Sequence, residues 1–354
     1  MKPDLLSLLR IDHPIVSAPM AGVSTPALAA AVSNAGGLGA IAVGHLDAAG
    51  ARAAIADLRR RTDRPFSVNV FSHRPAMPDP AREAAWLDWL APHFAANAAA
   101  APAALHTIYQ TIVDDDAMFE LLLETRPPSV SFHFGLPDAR RIRALKDAGI
   151  VLLASATTPH EARLVEQAGI DVVVAQGYEA GGHRGTFDPD AGDAAIGTFA
   201  LLPLVARAVK IPVVAAGGIM DGAAIAAAMR LGASGAQLGT AFILCPESSA
   251  TAHHRAMMAG GDEIYTAITD AISGRAARGL VNRQFSGVGA AGRPPVPDYP
   301  IAYDAAKALH AAAAKNGSQD YSVNWAGQAF ALARTLPAAE LVATLVRELD
   351  AAAR

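Results

Sequence analysis

The chain has 354 residues, of which 52% are hydrophobic, so it can bury the core of one α/β barrel with additions. Only 18% of the residues are charged, the formal net charge is -4, and no basic stripe stands out, which argues against nucleic-acid binding. The apolar runs are broken before about 20 residues and no signal peptide is visible, so no membrane partner is expected. The single cysteine, Cys245, rules out an internal disulfide and is typical of a cytoplasmic protein.

Short apolar runs recur along the chain with helical stretches between them. The predicted strands cover residues 15–18, 38–43, 66–70, 130–134, 151–155, 172–176, 213–219 and 235–240. These runs are continuously apolar, not alternating, which favours a parallel sheet covered by helices. Predicted helices cover residues 25–35, 48–61, 138–148, 159–168 and 199–209. This order of elements predicts a (β/α)8 TIM barrel.

Two segments are longer than the barrel connections around them. Residues 72–128 separate the third and fourth predicted strands, and residues 243–354 follow the eighth. We expect the first to be a lid-forming insertion and the second to be a C-terminal helical extension that covers the active site. The barrel itself would then comprise residues 1–71 and 129–242.

Two consecutive predicted strands end in glycine-containing turns, which leave backbone N–H groups accessible. The first ends at Gly217 and Gly218, and the second at Gln237-Leu238-Gly239-Thr240. Backbone N–H groups at such ends bind phosphate, and in this barrel a phosphate site commonly follows the seventh and eighth strands. We therefore predict that these turns and the Thr240 hydroxyl hold a phosphate.

Other strand ends carry groups that suit a flat ring with amide edges. Pro19 and Met20 offer a small apolar surface, and Asn69 and Gln176 offer amides that both donate and accept hydrogen bonds. The loop that contains Gly181-Gly182 can approach a ring closely because no side chains intervene. With the phosphate turns, these residues predict bound FMN in preference to a sugar phosphate. No metal is expected, since the histidines lack ligand spacing.

Two histidines are candidates for the chemistry. His133 lies between Phe132 and Phe134 on the fourth predicted strand, and alternation turns it into the barrel mouth while both phenylalanines face outward. His183 lies in the glycine-rich loop, from which it could contact substrate. The alternatives are a packed core histidine at the first position and a structural or solvent-facing histidine at the second.

Three residues of the tail, Tyr299, Tyr303 and Lys307, are spaced to share one face of a helix. Two phenols and an ammonium could line the lid and attract a carboxylate at the far end of a substrate. Tyr109 of the insertion could join them. Ordinary aromatic packing with a lysine at its edge is the alternative.

Several strings resemble motifs of the nitronate monooxygenases, formerly called 2-nitropropane dioxygenases. The strings are APMAG at 18–22, SFHFG at 131–135, AQGYEAGGHRG at 175–185, AGGI at 216–219, QLGT at 237–240 and SGRAARG at 273–279. They span nearly the whole chain in order. The FHFG and EAGGHRG strings together are similar to the class I bacterial and fungal branch.

The resemblance implies an FMN enzyme that oxidises alkyl nitronates with O2 to a carbonyl compound and nitrite. Propionate 3-nitronate is the expected substrate, and no nicotinamide cofactor is needed for turnover. His133 would be the family's catalytic histidine. The expected partners are a small-molecule nitronate and O2, and the protein is expected to be a monomer or homodimer.

Three alternatives remain open. An FMN barrel reductase that uses NADH or NADPH shares the phosphate turns, but it does not explain the string around His133 or the tyrosine–lysine face. A non-catalytic flavin- or phosphate-binding barrel would not explain why a polar residue, His133, lies on the fourth predicted strand. A flavin-free aldolase or isomerase would need a Schiff-base lysine, and none is evident on a predicted strand.

Overall fold

The computed structural model describes residues 4–261 and 263–352 and has a parallel barrel at its centre. The barrel strands are β1 (Ile15–Ser17), β2 (Gly39–Ala42), β3 (Phe66–Phe71), β4 (Ser129–His133), β5 (Val151–Ala156), β6 (Val172–Gln176), β8 (Val213–Ala216) and β9 (Gly235–Leu238). Hydrogen bonds order them β1-β9-β8-β6-β5-β4-β3-β2, and a bridge between Val16 and Leu38 brings β1 beside β2. The predicted strands and the predicted (β/α)8 TIM barrel are confirmed.

Apolar side chains alternate between the two sides of the barrel wall. Val173 and Ala215 pack outward against the surrounding helices, whereas Val174 and Val214 belong to a second buried cluster inside the barrel. Helix α1 (Leu5–Leu9) contributes its leucines to that inner cluster. It therefore closes the end of the barrel at which the strands begin.

The outer layer is a ring of helices. Its members are α2 (Pro26–Asn34), α3 (Ala48–Arg61), α5 (Asp116–Thr125), α6 (Ala139–Asp147), α7 (Pro159–Gln167), α8 (Thr198–Ala208), α9 (Gly222–Arg230) and α12 (Ala338–Ala352). The helices predicted from the sequence are all among them. Although α12 comes from the end of the chain, it packs against α9 and α2, where a helix after β9 completes the ring.

The remaining elements lie above the carboxyl ends of the strands. Helix α4 (Pro80–Ala95) packs on α11 (Ile301–Lys315) in a buried cluster of its own, which includes Trp86 and Leu309. The tail also contains α10 (Ala252–Met258) and the strands β10 (Thr266–Thr269) and β11 (Ala277–Leu280), which form a small antiparallel sheet with β7 (Gly182–His183). These tail strands were not predicted. Within the described part of the chain, no helix is long and apolar enough to cross a membrane.

The close approach of β2 to α2 generates a test of the barrel packing. A Cβ on Gly39 would collide with the backbone oxygen of Ala29, which cannot swing away as a flexible side chain could. We expect Gly39→Ala to lower the free energy of unfolding by about 3 kcal/mol or more, as overpacking does in a close-packed core. Chemical denaturation measures this change.

The matched control is the same substitution at Gly261, where a Cβ would meet nothing within 4 Å. Gly261→Ala should change the free energy of unfolding by less than about 1 kcal/mol. Equal effects of the two substitutions would contradict the packing argument.

Candidate active site

A cavity of about 370 Å³ opens at the carboxyl ends of the barrel strands. Cavities of about 300–1,000 Å³ commonly bind small molecules. This one is lined by Pro19, Met20, Asn69, Tyr109, His133, Gln176, Gly181, Gly182, His183, Gly217, Gly218, Gln237, Leu238, Gly239, Thr240, Tyr299, Tyr303 and Lys307. Every residue that the sequence analysis singled out for a site thus lies around the same space.

The turn after β8 has a backbone conformation that suits glycine. Gly217 and Gly218 have φ angles of 115° and 73°. A Cβ on Gly217 would lie 3.0 Å from Thr198 Oγ1, so a larger residue would also crowd the neighbouring helix start. Gly218 makes no hydrogen bond to another described residue. Its N–H is therefore available to a ligand in the cavity.

The turn after β9 is tied to the C-terminal segment. Thr240 Oγ1 accepts a hydrogen bond from the backbone N–H of Gly327 at 2.9 Å. The hydroxyl hydrogen of Thr240 remains able to donate to a ligand. Gly239 sits so close to Ala18 and Met20 that a Cβ there would lie 3.2 Å from Ala18 Cβ. The predicted apolar surface and the predicted phosphate turn are therefore neighbours.

The loop after β6 is held by an ion pair between a buried arginine and a half-buried aspartate. Arg184 is 1% exposed, and its Nε lies 2.6 Å from Asp193 Oδ2. Arg184 also donates to Gln176 Oε1 at 3.1 Å, and that oxygen accepts a second bond from the N–H of Gly185 at 2.8 Å. Gln176 Nε2 donates to the carbonyl oxygen of His183 at 2.9 Å. The amide of Gln176 thus holds the loop in place and keeps one N–H for a ligand.

Asn69 is oriented by a residue that the sequence analysis missed. Its Nδ2 donates to the Ser131 carbonyl at 3.1 Å and to Ser131 Oγ at 3.0 Å, which leaves Oδ1 as an acceptor. Ser155, His45 and Trp325 were also missed, although they line the cavity. For Ser131 the signal was present, since it lies two residues before His133 and so faces the same side of β4.

Hydrogen bonds fix two of the cavity histidines, His133 and His183, as particular tautomers. His133 Nε2 lies 3.2 Å from the carbonyl oxygen of His183, and Nδ1 lies 2.9 Å from Ser155 Oγ. Because a carbonyl only accepts, Nε2 of His133 donates and Nδ1 accepts the Ser155 hydroxyl. His183 Nε2 lies 2.8 Å from Ser273 Oγ, whose own hydroxyl donates to the carbonyl oxygen of Arg275 at 3.2 Å. His183 Nε2 therefore donates, and its Nδ1 keeps a lone pair.

Burial keeps both imidazoles uncharged. It lowers the pKa of His133 to about 4 and the pKa of His183 to about 3. The nearby guanidinium of Arg275 lowers both pKa values further. At neutral pH the two rings are therefore neutral, and each can accept a proton.

The predicted outward orientation of Phe134 is wrong. Phe132 packs outward as alternation requires, but β4 ends at His133 and Phe134 has a φ of 76°. This left-handed residue breaks the alternation and turns its ring into the cavity wall. The Phe134 ring centroid lies 4.4 Å from that of His133 and 5.1 Å from that of Tyr299.

An aromatic rim with one lysine surrounds the mouth of the cavity. Lys307 Nζ lies 4.7 Å from the ring centroid of Tyr109 and 5.3 Å from that of Tyr303. Tyr303 and Lys307 share a face of α11 as predicted, but Tyr299 precedes the helix, so the prediction of one three-residue helix face is wrong for Tyr299. Burial raises the pKa of Tyr109 to about 12, so this phenol stays protonated.

Sequence comparison places the chain among known proteins. A family model described as "Nitronate monooxygenase" matches residues 2–348. A protein named nitronate monooxygenase from Pseudomonas aeruginosa is 58% identical over 342 residues, which cover 97% of both chains. Another of that name, from Paraburkholderia phytofirmans, is 59% identical over 349 residues, which cover 98% of this chain and 95% of that protein.

Structural comparison agrees with the sequence comparison. The crystal structure of nitroalkane oxidase from Streptomyces ansochromogenes matches with a TM-score of 0.89 and 44% identity, and the match covers 99% of both chains. The predicted family and the prediction of an enzyme are confirmed. The chain belongs to the nitronate monooxygenase family, a family of flavin-dependent oxidoreductases.

Proposed function

We propose that this chain is an FMN-dependent enzyme that converts alkyl nitronates and O2 to a carbonyl compound and nitrite. One observation carries the proposal. The same cavity is lined by two turns with accessible backbone N–H groups, by two neutral imidazoles and by a rim of tyrosines and one lysine. The turns suit a phosphate, and the opposite side suits an anion enclosed by apolar rings. Propionate 3-nitronate is the substrate we propose, because its distal carboxylate matches the lysine of the rim.

The residues present fit FMN. The N–H of Gly218 and the hydroxyl of Thr240 would hold its phosphate, since both keep a free donor. Asn69 Oδ1 would accept from the amide edge of the ring, and Pro19 and Met20 would lie along the ring face. When bound, FMN would take electrons from the nitronate and pass them to O2.

The substrate would lie between the imidazoles and the rim. We propose His133 as the catalytic imidazole, whose Nδ1 becomes a proton acceptor when the Ser155 hydroxyl turns away. His183 lies beside it in the cavity wall and would contact the substrate. Lys307 forms no ion pair within the described residues, so its ammonium can attract a carboxylate.

We further propose that α4, Tyr109 and α11 act as the lid over this cavity. The cluster that joins α4 to α11 is separate from the barrel core, which allows the lid to pack as a unit. We also propose a cytoplasmic enzyme, since Cys245 is a buried free thiol. A monomer or a homodimer is in keeping with a cavity built from one chain.

An anaerobic mixing experiment tests the proposed function. The purified protein is mixed with propionate 3-nitronate, and separately with NADH, while the flavin spectrum is recorded. We expect flavin reduction by the nitronate and release of nitrite when O2 is admitted. Rapid bleaching by NADH alone would instead support a nicotinamide-dependent reductase, and a protein without flavin absorbance would overturn the cofactor assignment.

The proposed proton-accepting role of His133 is tested by comparing a neutral nitroalkane with its nitronate as substrates. A neutral nitroalkane must lose a proton, whereas its nitronate has already lost it, so removal of the base should affect the first substrate more. We expect His133→Asn to lower kcat/KM for nitroethane by about 100-fold or more and that for ethyl nitronate by about tenfold or less. His183→Asn is the comparison variant in the same assay. Equal losses on both substrates in His133→Asn would remove the proton-accepting role.

Lys307 is tested by changing the distal end of the substrate. Lys307→Met should raise KM for propionate 3-nitronate about fivefold, which corresponds to ~1 kcal/mol for a partly exposed ion pair. KM for ethyl nitronate, which lacks a carboxylate, should not change. Lys315→Met, on the same helix but outside the cavity, is the matched control. An unchanged KM for both nitronates in Lys307→Met would contradict a carboxylate site.

A further inference from the structure

A second cavity, of about 390 Å³, lies behind the first and shares Tyr299 with it. Its walls come from the segments 186–193, 268–276 and 296–299, together with Arg74 and Arg82 of the insertion. The proposed FMN and nitronate sites leave this space unused. The wall of the second cavity is rich in charged side chains, and the way these side chains pair indicates which class of ligand the cavity binds.

The four carboxylates that line the second cavity are each paired with an arginine. The pairs are Asp190 with Arg74 at 2.7 Å, Asp298 with Arg82 at 3.3 Å, Asp193 with Arg184 at 2.6 Å and Asp270 with Arg293 at 2.5 Å. Arg275 is the remaining cation of the wall, and no carboxylate of the described chain lies within ion-pair distance of it. Arg275 is therefore the guanidinium of this wall that has no ion-pair partner among the described residues, although Asp188 and Asp190 lie near enough to act on its charge.

Arg275 is also buried, with an exposed fraction of 3%. Its guanidinium donates to the carbonyl oxygens of Thr186 at 2.7 Å and Phe187 at 3.5 Å, and its central carbon lies 4.6 Å from the ring centroid of Phe134. These bonds use two of the five guanidinium N–H groups. Burial lowers the pKa of Arg275 to about 10, which still leaves it protonated at neutral pH. A buried guanidinium without an ion-pair partner is unfavourable, and an anion bound to it offsets part of that cost.

We propose that the second cavity binds a small monovalent oxyanion through Arg275. One buried guanidinium with unused N–H groups and no ion-pair partner suits a ligand with a single negative charge, and its plane matches an ion with two oxygen atoms in one plane. Nitrite is the occupant we assign. That assignment rests on the proposed function, since nitrite would be produced on the other side of Tyr299, one side chain away.

Calorimetric titration of the holoenzyme with sodium nitrite, in the absence of nitronate, tests the site. We expect saturable binding to the wild type and a dissociation constant that is about 10- to 100-fold larger in Arg275→Gln, as expected for loss of hydrogen bonds to a charged group. Arg275→Lys, which keeps the charge, should bind more tightly than Arg275→Gln. Absence of saturable binding to the wild type, or equal binding by Arg275→Gln, would overturn the proposal.

Two controls separate this site from its surroundings. The double variant Arg74→Gln with Asp190→Asn removes an ion pair of the same cavity without changing its net charge, so nitrite affinity should stay at the wild-type value. Lys307→Met removes the cation of the first cavity and should also leave nitrite affinity unchanged. Loss of nitrite binding in Lys307→Met would assign the anion to the first cavity and overturn the proposal.

Two further measurements keep the test decisive. Nitrate, which the proposed reaction neither uses nor makes, should also bind, so the anion site can stand even if nitronate oxidation fails. If Arg275→Gln does not fold, difference density in wild-type crystals soaked in sodium nitrite gives the answer. A peak beside Arg275 would support the site, and peaks found only elsewhere would overturn it.

Discussion

The ion pair between the buried Arg184 and the half-buried Asp193 is the interaction on which the candidate active site depends. It fixes the loop after β6, and the carbonyl oxygen of His183 in that loop accepts hydrogen bonds from both Gln176 and His133. Removal of Asp193 would leave the buried guanidinium of Arg184 without its counter-charge, which is unfavourable. The position of this loop therefore sets the orientation of both imidazoles, although Arg184 does not line the cavity itself.

In and beside the active-site cavity, permanent charges and uncharged imidazoles lie on different side chains. Guanidinium and ammonium groups stay charged at neutral pH, whereas burial holds His133 and His183 in their neutral forms. A protonated imidazole would attract an anion more strongly, but it could not accept a proton. Placement of the permanent charges on Arg275 and Lys307, at the edges of the aromatic cluster, leaves the imidazoles free to do so.

The barrel was predictable because its strands are buried on both faces, so each appears as a continuous apolar run. Strand order then fixed which strand ends meet, and this is why Asn69, Gln176 and Gly217 could be placed around one cavity. The surroundings were not predictable to the same degree. The positive φ of Phe134 is rare outside glycine, and the side-chain amide of Gln176 is largely used by its own loop. Helix α12 shows an apolar face in its sequence, but a pattern cannot tell which partner covers that face.

Helix α11 and the imidazoles are coupled through Tyr299, which lies where α11 meets the barrel. Its ring centroid lies 4.9 Å from that of His73, 5.1 Å from that of Phe134 and 5.5 Å from that of His183. Three separate segments thus hold one ring, and a shift of α11 cannot leave the loop after β6 unchanged in a close-packed cluster. The same ring separates the two cavities. The ring of Tyr299 therefore links the position of α11 to that of His183 and to the wall that contains Arg275.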